Sequence, residues 1–210
     1  MGQRNGALYE NFVNDFLYKD PNNLLIFFEN HDTQRFNEYC PKIEDYKLAT
    51  TLLATTRGIP QIYYGSEIGM KGDKGKGDAD IRRDFPGGWP GDTNNAFTDK
   101  GRTAEQKAYF DFSKKIWNWR KGKSVIHSGS FTQFLPQNNV YVYFRHNENE
   151  SETVMVVINN SKEAQTLDLS RFSDLIKKHK SSLDIISGNT IPLERTLTID
   201  SKKSYILELK

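Results

Sequence analysis

The period of apolar and polar positions changes more than once along the chain. In residues 7–17 (ALYENFVNDFL), Leu8, Phe12 and Phe16 fall at helical spacing with Val13 and Leu17 alongside, which predicts a helix. Pro21-Asn22-Asn23 marks a turn. Residues 24–28 (LLIFF) form an apolar run of strand length without alternation, the pattern of a strand covered on both faces in a parallel sheet. Residues 41–57 return to the helical period: Tyr46, Ala49, Leu53 and Thr56, with Leu48 and Leu52, give a broad apolar face. Gly58 then reads as a helix C-cap, and Pro60 keeps the helix from running on. Residues 59–64 (IPQIYY) predict a second short strand that ends at Gly65-Ser66-Glu67. Helix, strand, helix, strand is the α/β alternation that implies parallel strands with crossover helices.

Residues 68–99 show no period and are rich in Gly, Asp and Lys. A loop of this length inside a compact domain is usually functional, and after a strand it lies where α/β proteins keep their binding loops. A helix follows over residues 103–120. Thr103 offers an N-cap hydroxyl and Gln106 stands at the third helical position, a capping box. Tyr109, Phe112, Ile116 and Trp119 form one stripe, and Trp117 and Trp119 read as core packing.

From about residue 128 the pattern turns β-rich. Short runs at 131–135, 140–145, 153–158, 165–169, 183–186, 196–199 and 204–209 are separated by turn residues at 136–139, 147–150, 159–161 and 187–189. Val140, Val142 and Phe144 alternate with Tyr141, Tyr143 and Arg145, the period of a half-covered strand. About seven strands at this spacing predict an antiparallel sandwich. The fold class is therefore α/β plus all-β, with the two parts expected at residues 1–126 and 127–210.

Composition adds bounds. With 36% apolar residues and 12% aromatics, 210 residues can bury a sizeable core. The formal net charge of +2, from 29 Lys+Arg against 27 Asp+Glu, calls for neither nucleic acid nor an acidic membrane as partner. The single Cys40 excludes an internal disulfide framework. No apolar run approaches the ~18 residues of a membrane span. The opening MGQRNGALYENF lacks the basic-then-apolar pattern of a signal peptide and reads as an added start, so the native address is expected upstream.

The candidate chemistry begins at Glu29-Asn30-His31-Asp32, directly after the first apolar run. A His beside an Asp at the mouth of a parallel sheet can bind sugar hydroxyls, orient a base or ligate a metal; equally, Asp32 can cap a turn and His31 can be a core residue. No GxSxG elbow supports a serine hydrolase. The glycine-rich loop contains no GxxxxGK[ST], and the segment from Asp78 to Arg82 puts Arg where an EF-hand needs a ligand oxygen. Asp78 and Arg82, four apart, can instead hold hydroxyl groups through charge-assisted hydrogen bonds. Trp89 can stack on a sugar face or anchor its loop. His127 and His146 have no partner at metal-ligand spacing, and His179 lies on a Lys-rich solvated face.

FFENHDTQRF (27–36), GIPQIYYGSEIGM (58–70) and DADIRRDF (78–85) together resemble the α-amylase-type enzymes of glycoside hydrolase family 13, in the neopullulanase and cyclomaltodextrinase branch. The resemblance covers the chain from about residue 7 onward. It implies the last strands and helices of a (β/α)₈ barrel followed by an antiparallel β-sandwich domain, with residues 24–28 and 59–64 as the seventh and eighth barrel strands. Asp32 then matches the catalytic carboxylate that stabilises the transition state, and His31 the histidine that hydrogen-bonds the same sugar. Asp78 and Arg82 match a pair that holds sugar units further out. Ala79 departs from the proline often found after the first Asp of that pair, and the Lys/Gly-rich lead-in is a second departure.

The resemblance also implies two further carboxylates, a nucleophile and an acid/base about 5–5.5 Å apart, on the fourth and fifth strands. No motif here matches them. A full barrel takes roughly 250 residues, and about half as many precede the sandwich. The expected function is thus part of a retaining α-glucan hydrolase cleaving α-1,4 bonds in starch-derived oligosaccharides, inactive by itself. The alternative is a non-catalytic carbohydrate-binding or scaffold relative of the same fold. Expected partners are an α-glucan oligosaccharide, the remaining N-terminal part of the barrel and, through uncovered barrel faces, a second copy. No cofactor is expected, with structural calcium confined to the parent, and a bacterial periplasmic or secreted address is favoured over a cytoplasmic one.

Overall fold

The structure, a computed structural model, describes residues 4–148 and 151–210. The first three residues and part of the turn expected at 147–150 lie outside the described residues. The chain opens with helix α1 (Arg4–Val13), which tightens into a 3₁₀ turn at Asn14–Leu17. Phe12 of α1 packs edge-on to Phe131 at 5.1 Å between ring centroids. Phe16, expected in the same stripe, is instead exposed, because the change of helical pitch swings it off that face.

Strands β1 (Leu25–Ile26) and β2 (Ile59–Pro60) pair in parallel, Leu25 opposite Ile59 and Ile26 opposite Pro60. Both are shorter than their apolar runs. The expectation that the first is covered on both faces is wrong: Phe28 meets Phe36 and Tyr46, whereas Leu25, Phe27 and Ile59 are 59%, 42% and 53% exposed. The helical layer lies on one side only, and no described residue closes the other.

Between these strands run α2 (Phe36–Tyr39) and α3 (Ile43–Thr55). The C-cap of α3 is Thr56, not Gly58. Gly58, at φ +104°, serves a different need: a Cβ there would sit 2.7 Å from the Leu24 carbonyl oxygen, so only glycine lets the strands approach. A 3₁₀ turn at Ser66–Ile68 leads into the expected structureless loop of residues 68–99, which holds a second, Lys74–Lys76, and one helical turn, α4 (Asp78–Ile81). Helix α5 (Ala104–Lys121) starts with the expected capping box: Gln106 N donates to Thr103 Oγ1 at 3.1 Å and Thr103 N to Gln106 Oε1 at 3.0 Å. A short α6 (Ser124–Ser128) leads into the β-rich part.

There, β3 (Ser130–Gln137), β4 (Val140–His146), β5 (Thr153–Asn159), β6 (Gln165–Asp168), β7 (Ser181–Asp184), β8 (Thr190–Pro192), β9 (Thr196–Ile199) and β10 (Lys203–Leu209) are all antiparallel. A short helix, α7 (Ser173–Ile176), lies between β6 and β7. Strands β3-β4-β5-β10-β7-β8 form one sheet, and β6-β9 a ribbon over it. The strand expected at 183–186 is shifted to Ser181–Asp184, since the Asp184 carboxylate accepts from Ile186 N at 3.2 Å and Ser187 N at 2.9 Å and turns the chain.

Strand β4 is not half-covered but buried on both faces. Val140, Val142 and Phe144 join Met155, Val157, Leu197 and Ile199 under the ribbon. Tyr141 and Tyr143 point the other way, into a cluster with Tyr46 and Ala54 of α3, Tyr109 and Ile116 of α5, and Ile206 of β10. Tyrosine buries its ring while its hydroxyl finds a partner: the Tyr143 hydroxyl pairs with Thr55 Oγ1, and Thr51 Oγ1 with Ser204 Oγ at 2.9 Å. The helical layer and the sheet therefore share one core. Trp119 and Trp117 pack against it, as the stripe implied, and Trp119 Nε1 donates to Glu208 at 2.6 Å.

Candidate functional site

The site forms where the chain leaves β1. A tight turn follows Phe28 and Glu29. Asn30 shapes it: Asp32 N donates to Asn30 Oδ1 at 2.9 Å, and Asn30 N to Thr33 Oγ1 at 2.9 Å. Asn30, not Asp32, is the capping residue, so the Asp32 carboxylate is free to face outward. His31 is not a core residue either. The two side chains are 58% and 62% exposed, with His31 Nε2 3.2 Å from Asp32 Oδ2.

The second half arrives from the loop after β2. Arg82, at the end of α4, donates from Nε to the His31 carbonyl and from Nη2 to Asp32 Oδ1, both at 2.9 Å. The same Nη2 lies 2.9 Å from Asp78 Oδ2. The four residues singled out in the sequence, His31, Asp32, Asp78 and Arg82, thus meet in one place. Lys74 completes the group through its ion pair with Asp78. It was missed because the two residues are not on one helix: Gly77, at φ +100°, separates the 3₁₀ turn of Lys74 from α4, so helical i,i+4 spacing gave no signal.

The electrostatics follow from these contacts. The Lys74 hydrogen bond, with Arg82 beside it, holds the Asp78 carboxyl below its usual range. Asp80, two residues after Asp78 on the same short turn, is held low by the Asp73 amide and then by Arg83. Behind the turn, burial raises the phenol of Tyr63 and the carboxyl of Glu67. Carboxylates that accept and guanidinium and ammonium groups that donate lie side by side at the solvent boundary. Such a set offers both partners a hydroxyl-rich ligand needs, in fixed directions.

Trp89 is 64% exposed and does not anchor its loop. Anchoring comes from Asp92 Oδ2, which accepts from Gly87 N at 2.7 Å and Trp89 N at 3.1 Å, and from the Phe85–Phe97 ring contact at 4.4 Å. His146 pairs with Thr132 Oγ1 at 2.9 Å within the sheet, and His127 is exposed on α6, both apart from the site. Among the described residues no group of three or more His, Cys, Asp or Glu is gathered for a metal ion, and no helix is long and apolar enough to cross a membrane.

Residues 131–208 match the cyclomaltodextrinase C-terminal domain family. A cyclomaltodextrinase of Thermoanaerobacter pseudethanolicus is 30% identical over 168 residues, 78% of this chain and 26% of that protein. The crystal structure of an α-amylase from Geobacillus thermoleovorans, complexed with acarbose, superposes with a TM-score of 0.75 at 26% identity, covering 97% of this chain and 42% of the other. The chain belongs to the α-amylase-type glycoside hydrolases of family 13. A cyclomaltodextrin glucanotransferase of Paenibacillus macerans is a further relative, 31% identical over 144 residues, 69% of this chain and 17% of the glucanotransferase. This family-13 chain therefore spans about a quarter or less of the curated relatives it matches.

Proposed function

We propose that the chain supplies the last two strands of a (β/α)₈ barrel and the following β-sandwich of a retaining α-glucan hydrolase, acting on α-1,4 bonds of starch-derived oligosaccharides. The observation that carries this reading is the meeting of His31, Asp32, Asp78 and Arg82 just past the C-terminal end of β1, where barrel enzymes place their chemistry. In this role Asp32 accepts hydrogen bonds from sugar hydroxyls that strengthen as oxocarbenium character develops. His31 donates to the same sugar. Asp78 and Arg82 hold a neighbouring unit.

The cluster cannot run the reaction alone. Retaining chemistry needs one carboxyl that stays protonated near neutral pH beside an ionised nucleophile. Asp32 and Asp78 both sit 2.9 Å from the same guanidinium nitrogen, and Lys74 pushes Asp78 further toward the ionised form. Asp78 is therefore not the carboxyl that stays protonated. The barrel's nucleophile and acid/base must come from elsewhere in the enzyme.

The test is to assay the 210-residue chain and a longer enzyme containing it on maltoheptaose and β-cyclodextrin, each with and without Asp32→Asn. Turnover is expected only in the longer enzyme, and there it should depend on Asp32. Turnover by the short chain at a comparable rate would refute the assignment.

A further inference from the structure

Glu29 opens the polar segment after β1, yet it takes no part in the cluster described above. It is 2% exposed, and its closest cation, Arg35, is 0% exposed. The two lie 3.3 Å apart, and Glu29 also accepts from the Ser66 hydroxyl and the Phe36 amide. A pair so deep costs solvation and is held only where further hydrogen bonds complete it.

Those hydrogen bonds have a particular distribution. Arg35 N donates to the Gly72 carbonyl at 3.2 Å, and Arg35 Nε to the Ile81 carbonyl at 2.9 Å. Gly72 and Ile81 are the two ends of the loop that carries Lys74, Asp78 and the base of Arg82. One residue therefore grips both ends of that loop. A third bond, Nη1 to the Tyr64 carbonyl at 2.7 Å, ties it to the chain leaving β2, and the guanidinium lies 3.9 Å from the Tyr63 ring centroid. The neck is closed tightly: a Cβ on Gly72 would come within 2.5 Å of the Asp80 carbonyl oxygen.

We infer that Arg35, held by Glu29, is a positioning residue that pins the 72–81 loop so that Arg82 and Asp78 face Asp32. The inference deepens the proposed function and rests on it only for what the positioned groups bind. Ile81, whose carbonyl Arg35 holds, directly precedes Arg82, so release of that carbonyl frees the Arg82 side chain from the His31-Asp32 turn. Glu29 and Arg35 are both buried, away from the exposed face that His31 and Asp32 present.

The test uses the 210-residue chain, with amide hydrogen exchange and NMR of arginine Nε–H groups. In Arg35→Met, amides of residues 73–82 are expected to exchange about tenfold or more faster, while those of β4 and β5 stay unchanged. The Arg82 Nε–H signal, protected by the His31 carbonyl, should move to the solvent-exchanging position. Arg35→Lys keeps the charge opposite Glu29 and the backbone bond to Gly72, but lacks the forked guanidinium that reaches the Ile81 and Tyr64 carbonyls together, so the Ile81 end should remain loose. Rescue by lysine, or an unchanged loop in Arg35→Met, overturns the inference; should Arg35→Met not fold, the lysine variant alone decides. Maltoheptaose added to the unmodified chain separates the two readings. No shift of His31 and Arg82 signals, with loosening in the variants, removes the glucan reading and leaves the pinning. Shifts without loosening remove the pinning alone.

Discussion

Arg82 reaches across fifty positions of sequence to close a two-point contact on the turn after β1: Nη2 on the Asp32 carboxylate and Nε on the His31 carbonyl, both at 2.9 Å. The contact is solvent-open, which separates its energetic from its functional weight. Exposed ion pairs contribute little stability, so Asp32→Asn in the 210-residue chain should change the urea unfolding free energy by less than about 1 kcal/mol. In a longer enzyme that turns over maltoheptaose, the same substitution should lower kcat by about 100-fold or more, because the lost interactions are those that strengthen in the transition state. A change confined to KM would assign Asp32 to ground-state binding instead.

The shared core between helices and sheet gives a second prediction. Tyr143→Phe removes one hydroxyl, and Thr55 keeps its bond to the Thr51 carbonyl at 2.6 Å. The expected cost is about 1 kcal/mol. Ile116→Ala, at a fully buried position of α5, leaves a cavity against the sheet and should cost about 2–5 kcal/mol. Both are read from urea midpoints followed by far-UV circular dichroism and by tryptophan fluorescence. If the two signals stay coincident in Ile116→Ala, the helical layer and the sheet unfold as one unit.

Much of this was legible because it is local. The capping box needs only Thr103 and Gln106, and the strand-to-polar transition at Phe28-Glu29 needs only the apolar run and its end. What failed depends on neighbours far along the chain. The alternation at 140–145 reads as half-covered because Tyr and Arg count as polar, yet α3 and α5 cover those tyrosines and give them partners. Asp184 ends β7 through its own side chain, a competition that apolar content at 183–186 conceals. Strand β8 is three residues with Pro192 at its end, too short for a period to show. At the site, the four chemically marked residues were legible by type. The buried Glu29–Arg35 pair was not, since its meaning lies in which carbonyls it meets.

Tyrosine burial sets a limit on the alkaline side. Burial pushes the phenols of Tyr46 and Tyr109 up to about 12, with nearby carboxylates adding to the effect. An unfolded tyrosine ionises near 10. A folded pKa above the unfolded one means stability is full below about pH 10 and is lost as pH rises toward about 12. Urea midpoints should accordingly stay level up to about pH 10 and then fall, with phenolate absorbance rising in the same interval. Tyr46→Phe should shrink that fall; an unchanged profile would show that Tyr46 does not contribute to it.

Glu67 works in the opposite part of the pH scale. Burial is the main cause that raises its carboxyl, outweighing the amide hydrogen bonds it receives. Its raised folded pKa favours the folded state at low pH and costs stability once the group must ionise. Glu67→Gln should therefore stabilise the chain at pH 7 and have less effect at pH 4, measured as the difference in urea midpoint at the two values. Equal effects at both would mean that ionisation is not what the fold resists there.

The approach of β1 and β2 turns on Gly58. Its φ of +104° and the 2.7 Å from a built Cβ to the Leu24 carbonyl are two separate obstacles to a side chain. The second matters more for the site, because that carbonyl accepts from Ile59 N at 2.8 Å and Ile26 O accepts from Gln61 N at 2.8 Å, the bonds of the parallel pair. Gly58→Ala should cost about 1–3 kcal/mol and speed amide exchange at Ile59 and Gln61. Gly188→Ala supplies the control: its φ is +83° with open space around the Cβ, so only the backbone cost applies there, about 1 kcal/mol. If both variants lose the same stability and the Ile59 amide stays protected, crowding at Leu24 plays no part and glycine is needed there for its backbone conformation alone.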